Sequence, residues 1–509
     1  MSHQESRVKK AAINSSVAII GQMVAIICSF ILPRLILTHF GSAYNGITSS
    51  ISQFIECVVL LRAGVGGVTR AALYKPLAEG NNEEISSIIN ATQAFMKKVS
   101  IAFLALLFLI ACIYPFAVSD EFDWLFSFSL VLILGISTFA QNYFGITYQM
   151  LIQADQKNYV YSLITLITTV LNTIIAVILI LAGANIHVVK LGSAFAFSLN
   201  PILLNIYVRR TYCLDKKIPA NTVAISQRWD AFAQQVAAFV NNNTDLVVLT
   251  MFSNLKEISV YTVYYMIANK IKTLVSTFTN GIEAAFGDMI AKGENHILRD
   301  SFRVYELLIY NISTFVFTCT MILIEPFVMI YTSGVTDVEY SRVLFGVLMS
   351  VNQYLYCIRL PYQMLTDAIG HFKQTKNGAI FESVMNVVLS VVLVIKFGII
   401  GVTIGTFCAL LFRTLQYATY SSQVVLNRSV WIMLKQLVVS IVEGTVTYFF
   451  ITKLVRMYII KNIALMKDWL VLAVITAVTT AIVIIVFSFL FYRKETKMLM
   501  KKILGVFAR

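Results

Sequence analysis

The sequence predicts an all-α polytopic membrane protein, and three observations carry that prediction. Hydrophobic residues make up 58% of the 509 residues and charged residues 13%, whereas soluble domains are about 25% charged. Long windows such as Tyr161–Val189 and Leu470–Tyr492 contain no Asp, Glu, Lys or Arg, and each exceeds the roughly 20 residues that a helix needs to cross a bilayer. Short stretches also recur at an offset of about 212–214 residues, which indicates two related halves.

Apolar runs along the chain predict about fourteen transmembrane helices. The first run follows the basic start MSHQESRVKK and extends past Leu35, which is longer than a signal peptide, so we expect an uncleaved first span. Several runs are longer than a bilayer requires, which helix tilt accommodates. The predicted spans are 13–38, 43–68, 98–117, 124–151, 158–182, 186–208, 229–253, 257–284, 304–331, 340–366, 377–397, 399–425, 430–457 and 468–492.

The distribution of basic residues predicts the orientation of these spans. With fourteen spans both termini lie on one side, and 26 of the 40 Lys and Arg residues fall on that side, 8 on the other and 6 inside spans. Because cytoplasmic loops carry the excess of Lys and Arg, we expect both termini in the cytoplasm. The same bias accounts for the net charge of +14 as a consequence of topology, so we expect no nucleic-acid partner.

Metal and cofactor chemistry has no sequence support. The seven cysteines include no Cys-x-x-Cys spacing, and the five histidines form no metal motif. A Gly-rich phosphate loop ending in GKS or GKT is also missing, which argues against ATP hydrolysis. We therefore expect no cofactor, and the sequence leaves a coupling ion undetermined.

The internal repeat predicts the domain organisation. The tetrapeptide YQML occurs at Tyr148–Leu151 and at Tyr362–Leu365, and Asn172 meets Asn386 at the same offset. Because each half holds an even number of spans, the halves share one orientation and should be related by a pseudo-two-fold axis along the membrane normal. The predicted parts are an N-terminal six-helix lobe at 1–208, a cytoplasmic linker at 209–228, a C-terminal six-helix lobe at 229–427, and an appended helix pair with a basic tail at 428–509.

Polar and charged side chains inside spans mark a candidate binding site, because such residues usually face a cavity or a partner. Helical spacing places Asn269 and Lys272 on one stripe, Lys270 on the adjacent stripe, and Arg359 and Gln363 on one face of the tenth span. In the second span Asn45, Gln53 and Glu56 share one stripe. The remaining candidates lie in spans one, two and seven and are Arg34, Arg62, Glu56 and Asp245.

Each of these four residues also has a simpler explanation. Arg34 and Arg62 could snorkel towards a membrane surface, and Glu56 and Asp245 could only neutralise basic neighbours.

Three features of the sequence point to a known family. They are the layout of six, six and two spans and the stretches PRLILTHFGSAYNGITSSISQF and LRAGVGGVTRAALYKPLAEGNNEEI. In these features the chain resembles the Wzx-like polysaccharide flippases of the multidrug/oligosaccharidyl-lipid/polysaccharide exporter superfamily, Gram-positive type. The resemblance implies a plasma-membrane flippase that moves an undecaprenyl-pyrophosphate-linked oligosaccharide from the inner to the outer leaflet. It implies that Arg34, Arg62, Lys270 and Lys272 meet the pyrophosphate. It also implies a groove for the lipid tail in the last two spans. Membrane lipid, a polysaccharide polymerase and glycosyltransferases are the candidate partners.

Two other functions compete with this one. A cation-coupled multidrug exporter of the same superfamily would favour an acidic cavity. Spans one, two, seven and eight, apart from acidic residues at span ends such as Glu283, hold four basic residues and two acidic ones. A membrane glycosyltransferase or ligase would need a carboxylate or metal site on a substantial outer loop, and the predicted outer loops Thr38–Gly46, Val118–Trp124 and Tyr331–Tyr340 are short. We therefore predict a transporter that is not an enzyme.

Overall fold

The computed structural model describes residues 2–59, 65–155, 157–221, 243–277, 286, 289, 294–369, 371–455 and 465–507. Over these ranges the regular structure is helical, without β-strands, as predicted. The helices are α1 Ser2–Phe40, α2 Ser42–Val59, α3 Val65–Glu79, α4 Asn82–Ala117, α5 Trp124–Ala154, α6 Asn158–Leu181, α7 Ile186–Thr211, α8 Asn243–Phe252, α9 Leu255–Thr277, α10 Asn295–Tyr331, α11 Val343–Ala368, α12 Phe372–Tyr420, α13 Trp431–Phe450, α14 Met466–Phe491 and α15 Arg493–Phe507.

Ten helical segments in the described ranges are long and apolar enough to cross a membrane. One of them, Gln374–Val425, contains a break at Gly398, where the sequence predicts the boundary between two spans. These segments account for eleven of the predicted spans. The second, seventh and eighth spans each include residues outside the described ranges, so the total of fourteen stays a prediction.

The break at Gly398 turns α12 back on itself. Gly398 has φ +55° and ψ −134°, a conformation that glycine adopts without steric penalty. Beyond the turn, a Cβ on Gly401 would lie 2.2 Å from the carbonyl oxygen of Leu393, and one on Gly405 would lie 2.7 Å from the backbone nitrogen of Ser390. Small residues at these positions therefore let the two arms of α12 pack closely, as they do between membrane helices generally.

Polar residues of α14 face inward and apolar residues face outward, the reverse of a soluble helix. Thr476, Thr480 and Ser488 are buried, whereas Val474, Val478 and other large apolar side chains are exposed. A lipid environment explains this arrangement, because hydrocarbon solvates apolar side chains while polar ones must find partners within the protein. The chain is accordingly a multi-pass membrane protein.

The described chain divides into two compact units, residues 1–259 and 260–509, with the boundary inside α9. Unit 1 has a core where α3, α4, α5, α6 and α7 meet, and unit 2 has one where α10, α11, α12 and α13 meet. The two YQML copies have the same burial pattern within their own units. Tyr148, Met150 and Leu151 are buried, and so are their counterparts in α11, while both glutamines are half-buried. The four-part division predicted from the repeat stays a prediction.

The last helix pair is attached to unit 2 through α10. The indole Nε1 of Trp469 donates to the carbonyl oxygen of Leu323 at 3.1 Å, and Asn311 Nδ2 donates to Ser488 Oγ at 3.0 Å. On the other helix of the pair, Gly444 brings α13 within contact of Thr318 of α10. These contacts make α13 and α14 a part of unit 2 rather than a separate body.

Candidate functional site

A tyrosine ring in unit 2 lies close to two cations. Lys272 Nζ of α9 lies 4.7 Å from the ring centroid of Tyr356 of α11, and Arg359 Cζ lies 4.8 Å from the same centroid. Cation–π attraction of this kind favours each cation by about 0.5–2 kcal/mol, depending on desolvation. The predicted stripe residues Lys272 and Arg359 are therefore brought together through a shared aromatic partner.

Arg359 also belongs to a buried ion-pair triad. Its Nη1 lies 2.8 Å from Glu382 Oε1, and Arg413 Nε lies 3.4 Å from Glu382 Oε2. All three side chains are at least nine-tenths buried. Arg413 is held further by Thr375 O at 2.9 Å and by the Tyr417 hydroxyl at 2.8 Å. The Glu382 carboxylate on the first arm of α12 thus compensates two guanidinium groups, that of Arg359 on α11 and that of Arg413 on the second arm of α12.

We call Lys272, Tyr356, Arg359, Glu382 and Arg413 the Arg359 cluster. Three basic side chains against one carboxylate leave an excess of two positive charges in it. Arg359 Nε, moreover, has no hydrogen-bond partner in the described part of the chain. Because a buried donor without a partner is unfavourable, this N–H is suited to receive an oxyanion.

The face of α9 that carries Lys272 is more open than the opposite face. Tyr265, Asn269, Lys272 and Ser276 are all half-buried, whereas Val263, Tyr264, Ala268 and Val275 are buried. Lys270 is half-buried on the neighbouring stripe, and Gln363 is half-buried one helical turn beyond Arg359. Lys272 thus joins the Arg359 cluster to a half-buried polar face of α9.

The other predicted site residues belong to unit 1 or lie outside the described ranges. Arg34 is half-buried on α1, Glu56 is exposed on α2, and Asp245 is half-buried on α8. Arg62 falls outside the described residues.

Side chains of α2 that the sequence assigns to a polar stripe form a hydrogen-bonded ladder instead. Gln53 Nε2 donates to Asn243 Oδ1 at 2.7 Å, and Asn45 Nδ2 donates to Ser259 Oγ at 2.8 Å. Between them the Ser50 hydroxyl lies 2.9 Å from that of Thr250. Asn45 and Gln53 thus join α2 to α8 and α9 inside unit 1, while Glu56 stays on the exposed side of α2.

A second buried ion pair contacts α11 through Tyr362, three residues after Arg359. Arg428 donates to both oxygens of the Glu306 carboxylate, and the Tyr362 hydroxyl donates to Glu306 Oε1. Arg428 also packs over the Phe302 ring at 5.2 Å. The pair is neutral overall, so its role is to hold α10, α11 and the start of α13 together. Tyr362, the tyrosine of the second YQML copy, is used here in packing.

Three buried acidic residues were not among the candidate site residues predicted from the sequence, because the prediction relied mainly on basic residues and polar stripes. They are Glu306, Glu382 and Glu443, all buried in unit 2. The signal that could have found two of them is simple. Glu382 is the one acidic residue of the predicted span 377–397, and Glu443 is the one acidic residue of 430–457. A carboxylate that stands alone in an apolar span requires a partner.

An apolar groove of about 390 Å³ runs along the last helix pair. Its lining residues come from α13 and α14 and are Trp431, Leu434, Lys435, Val438, Val439, Val442, Phe487 and Phe491. Lys435 is the one charged member, and its Nζ lies 5.8 Å from the Phe491 ring and 5.2 Å from the Tyr492 ring. The groove thus combines an apolar length with a cation near one end.

Comparison with solved structures identifies the architecture. A lipid II flippase, MurJ, in its inward closed conformation matches with a TM-score of 0.71 at 16% identity, over 95% of this chain and 99% of that one. The chain has the fold of MurJ. It also matches an inward-facing multidrug resistance transporter of the MATE family and the MOP superfamily, with a TM-score of 0.56 at 14% identity, over 81% of this chain and 98% of the other.

A Vibrio cholerae MATE transporter matches with a TM-score of 0.57 at 13% identity, over 85% of this chain and all of the other. No model of a known protein family matches the sequence. A search of curated proteins finds no significant match. The fold is therefore one that lipid flippases and drug exporters share.

Proposed function

We propose that the chain moves a polyprenyl-pyrophosphate-linked oligosaccharide from the inner to the outer leaflet of the bacterial plasma membrane by alternating access, with both termini in the cytoplasm. The observation that carries the proposal is the net-cationic Arg359 cluster, placed among membrane-spanning helices of a fold that matches a lipid II flippase over nearly the whole chain. A diphosphate is the head group that such a cluster would favour.

The electrostatics of transit support an anionic cargo. An unpaired charge cannot enter hydrocarbon at an acceptable free energy, so a pyrophosphate needs basic partners at membrane depth. Lys272 supplies an ammonium group on a half-buried side chain, and Arg359 supplies a buried Nε–H without a partner among the described residues. Outward movement of one negative charge across a membrane that is negative inside is favourable by about 2.3 kcal/mol per 100 mV.

The groove between α13 and α14 supports a cargo with a long apolar tail. Its walls are aliphatic and aromatic except for Lys435. In the predicted topology Lys435 lies at the cytoplasmic end, where cargo would enter. A polyprenyl chain would rest in the groove while the head group occupies the Arg359 cluster.

The Lys272→Gln variant tests the proposal. Purified protein in vesicles is supplied with fluorescent polyprenyl-pyrophosphate oligosaccharide, and appearance of the label in the opposite leaflet is followed by quenching. Loss of one charged hydrogen bond is about 1.5–3 kcal/mol, which corresponds to a fall in flipping rate of roughly tenfold or more. Lys272→Arg should retain a substantial part of the rate.

Lys396→Gln is the matched control, because Lys396 is exposed on α12 and its loss changes the net charge equally. Equal rates for wild type, K272Q and K396Q would exclude the proposed role of the cluster. A wild-type protein that fails to flip the lipid but exports a cationic dye would favour the multidrug exporter and refute the proposal.

A further inference from the structure

Glu443 is a buried carboxyl group in the middle of a membrane-spanning helix. It is 3% exposed and lies about 18 Å from the start of α13 at Trp431, given a rise of about 1.5 Å per residue. It belongs to the inward stripe of α13, which includes Ser440, Gly444 and Thr447. The Arg359 cluster and the apolar groove do not use it.

The carboxyl group of Glu443 has no basic partner in the described ranges. No ion pair or side-chain hydrogen bond to it is present there. Its burial therefore disfavours the charged form without compensation from a neighbouring cation. The titratable groups close enough to interact electrostatically with it are Tyr354 of α11 and Tyr492, which follows α14. This contrasts with Glu306 and Glu382, each of which is compensated by arginine.

Buried hydroxyl groups lie in the neighbourhood of this carboxyl. The Tyr354 hydroxyl lies beside those of Thr314 and Ser440 and close to Glu443. The hydroxyls of Tyr354, Thr314 and Tyr492 are buried, yet none completes a hydrogen bond of ordinary geometry with a described residue. Thr314 itself is 3% exposed and is contributed by α10. Elements α10, α11, α13 and the end of α14 thus converge on one polar site inside an apolar body.

We propose that Glu443 is a membrane-buried proton-binding site, at which the carboxylate takes a proton from a hydronium ion to give a neutral carboxyl group and water. The reason is that an ionised carboxylate without a cation is strongly unfavourable in this environment, whereas a neutral carboxyl can both donate to and accept from the surrounding hydroxyls. Buried ionisable residues at membrane depth commonly serve proton relays. The site lies where the last helix pair meets α10. The protonation state of Glu443 therefore also affects the packing of the last helix pair against α10.

Infrared difference spectroscopy of the full chain in nanodiscs tests the proposal without any transport assay. A protonated carboxyl shows a carbonyl stretching band that a carboxylate lacks. Wild type should show this band at neutral pH and lose it at alkaline pH. Glu443→Gln should lack it throughout. Glu339→Gln, which removes an exposed carboxylate, should retain it.

A second measurement needs no variant and so does not depend on whether E443Q folds. Dicyclohexylcarbodiimide reacts with protonated carboxyl groups in apolar surroundings, and mass spectrometry should locate the adduct at Glu443 in the wild-type chain. Identical infrared bands in wild type and E443Q, together with no adduct at Glu443, would overturn the proposal. Loss of the band when NaCl replaces choline chloride at constant pH would assign the site to a sodium ion and overturn it as well.

A role of Glu443 in lipid flipping rests on the proposed function. Failure of the proposed function can be distinguished from failure of proton binding at Glu443. If wild type flips the lipid, E443Q should show a rate that no longer varies with pH between the alkaline and neutral ends of the infrared titration. If wild type does not flip the lipid, the infrared band and the adduct still decide whether Glu443 binds a proton.

Discussion

Replacement of Glu382 by Gln should destabilise unit 2 strongly, because one neutral amide would leave two buried arginines without a counter-charge. Glu382 lies 2.8 Å from Arg359 and 3.4 Å from Arg413. At an effective dielectric constant of about 20 these separations correspond to Coulomb attractions of about 6 and about 5 kcal/mol. Desolvation of the three groups offsets most of this gain in the native protein, so the sum is not the net effect.

The expected loss follows from what removal of one partner does to a buried pair. Measured losses for such deletions are about 3–5 kcal/mol, because the remaining charge stays buried. At about 2–4 °C per kcal/mol for a unit of 150–250 residues, the midpoint of thermal unfolding should fall by about 6 °C or more. The variant R359M/E382L/R413M, which removes every charge of the triad, should recover most of that stability while losing the cationic character of the site.

Thiol reactivity provides the assay. Cys357 is fully buried beside Arg359, so a thiol-reactive fluorophore reports the opening of this region on heating once the other six free cysteines are replaced by serine. Glu339→Gln is the control, since the exposed pair of Glu339 and Arg342 is worth about 0–1 kcal/mol. If E382Q unfolds within about 1 °C of both wild type and E339Q, the charge argument for the Arg359 cluster is wrong.

Two further substitutions test the packing and the second ion pair. Gly46→Ala places a Cβ 1.9 Å from the carbonyl oxygen of Leu255 and should destabilise unit 1 by roughly 1–3 kcal/mol or more. The control is Gly21→Ala, which adds a Cβ in open space and should be neutral or slightly stabilising in the same unfolding assay. Arg428→Met leaves the buried Glu306 without its partner and should lower the stability of unit 2 by about 3–5 kcal/mol. The double variant R428M/E306Q should regain part of that stability. Equal stability of the single variant and wild type would contradict the pairing.

The spans, the inward polar stripes and the repeat were accessible from the sequence, because each depends on local patterns. A window of about 20 apolar residues predicts a membrane helix from hydropathy alone. Spacings of three and four residues placed Asn269 and Lys272 on one stripe, and the half-buried state of that stripe agrees with the prediction. The break at Gly398 was predictable for a similar reason, since the apolar run is interrupted at a residue that tolerates positive φ.

Which charges meet was decided by tertiary packing. Arg359 and Gly145 occupy equivalent positions of the two repeat halves, yet the arginine in the second half has a carboxylate partner 23 residues later, on the next helix. Asn45 and Gln53 lie on a stripe with Glu56, yet they bond to α8 and α9 while Glu56 stays exposed. A helical pattern specifies the face on which a side chain stands but not the helix that packs against that face.

The sequence of this protein therefore determined its membrane character, its apolar spans and its polar stripes, since hydropathy and the 3.6-residue period act over short segments. Tertiary structure alone decided that Arg359 and Arg413 share Glu382 and that Glu443 is buried near hydroxyl groups with no cation beside it among the described residues. The physical reason is that the free energy of a buried charge depends on its surroundings within a few ångströms, and those surroundings come from helices distant in the chain.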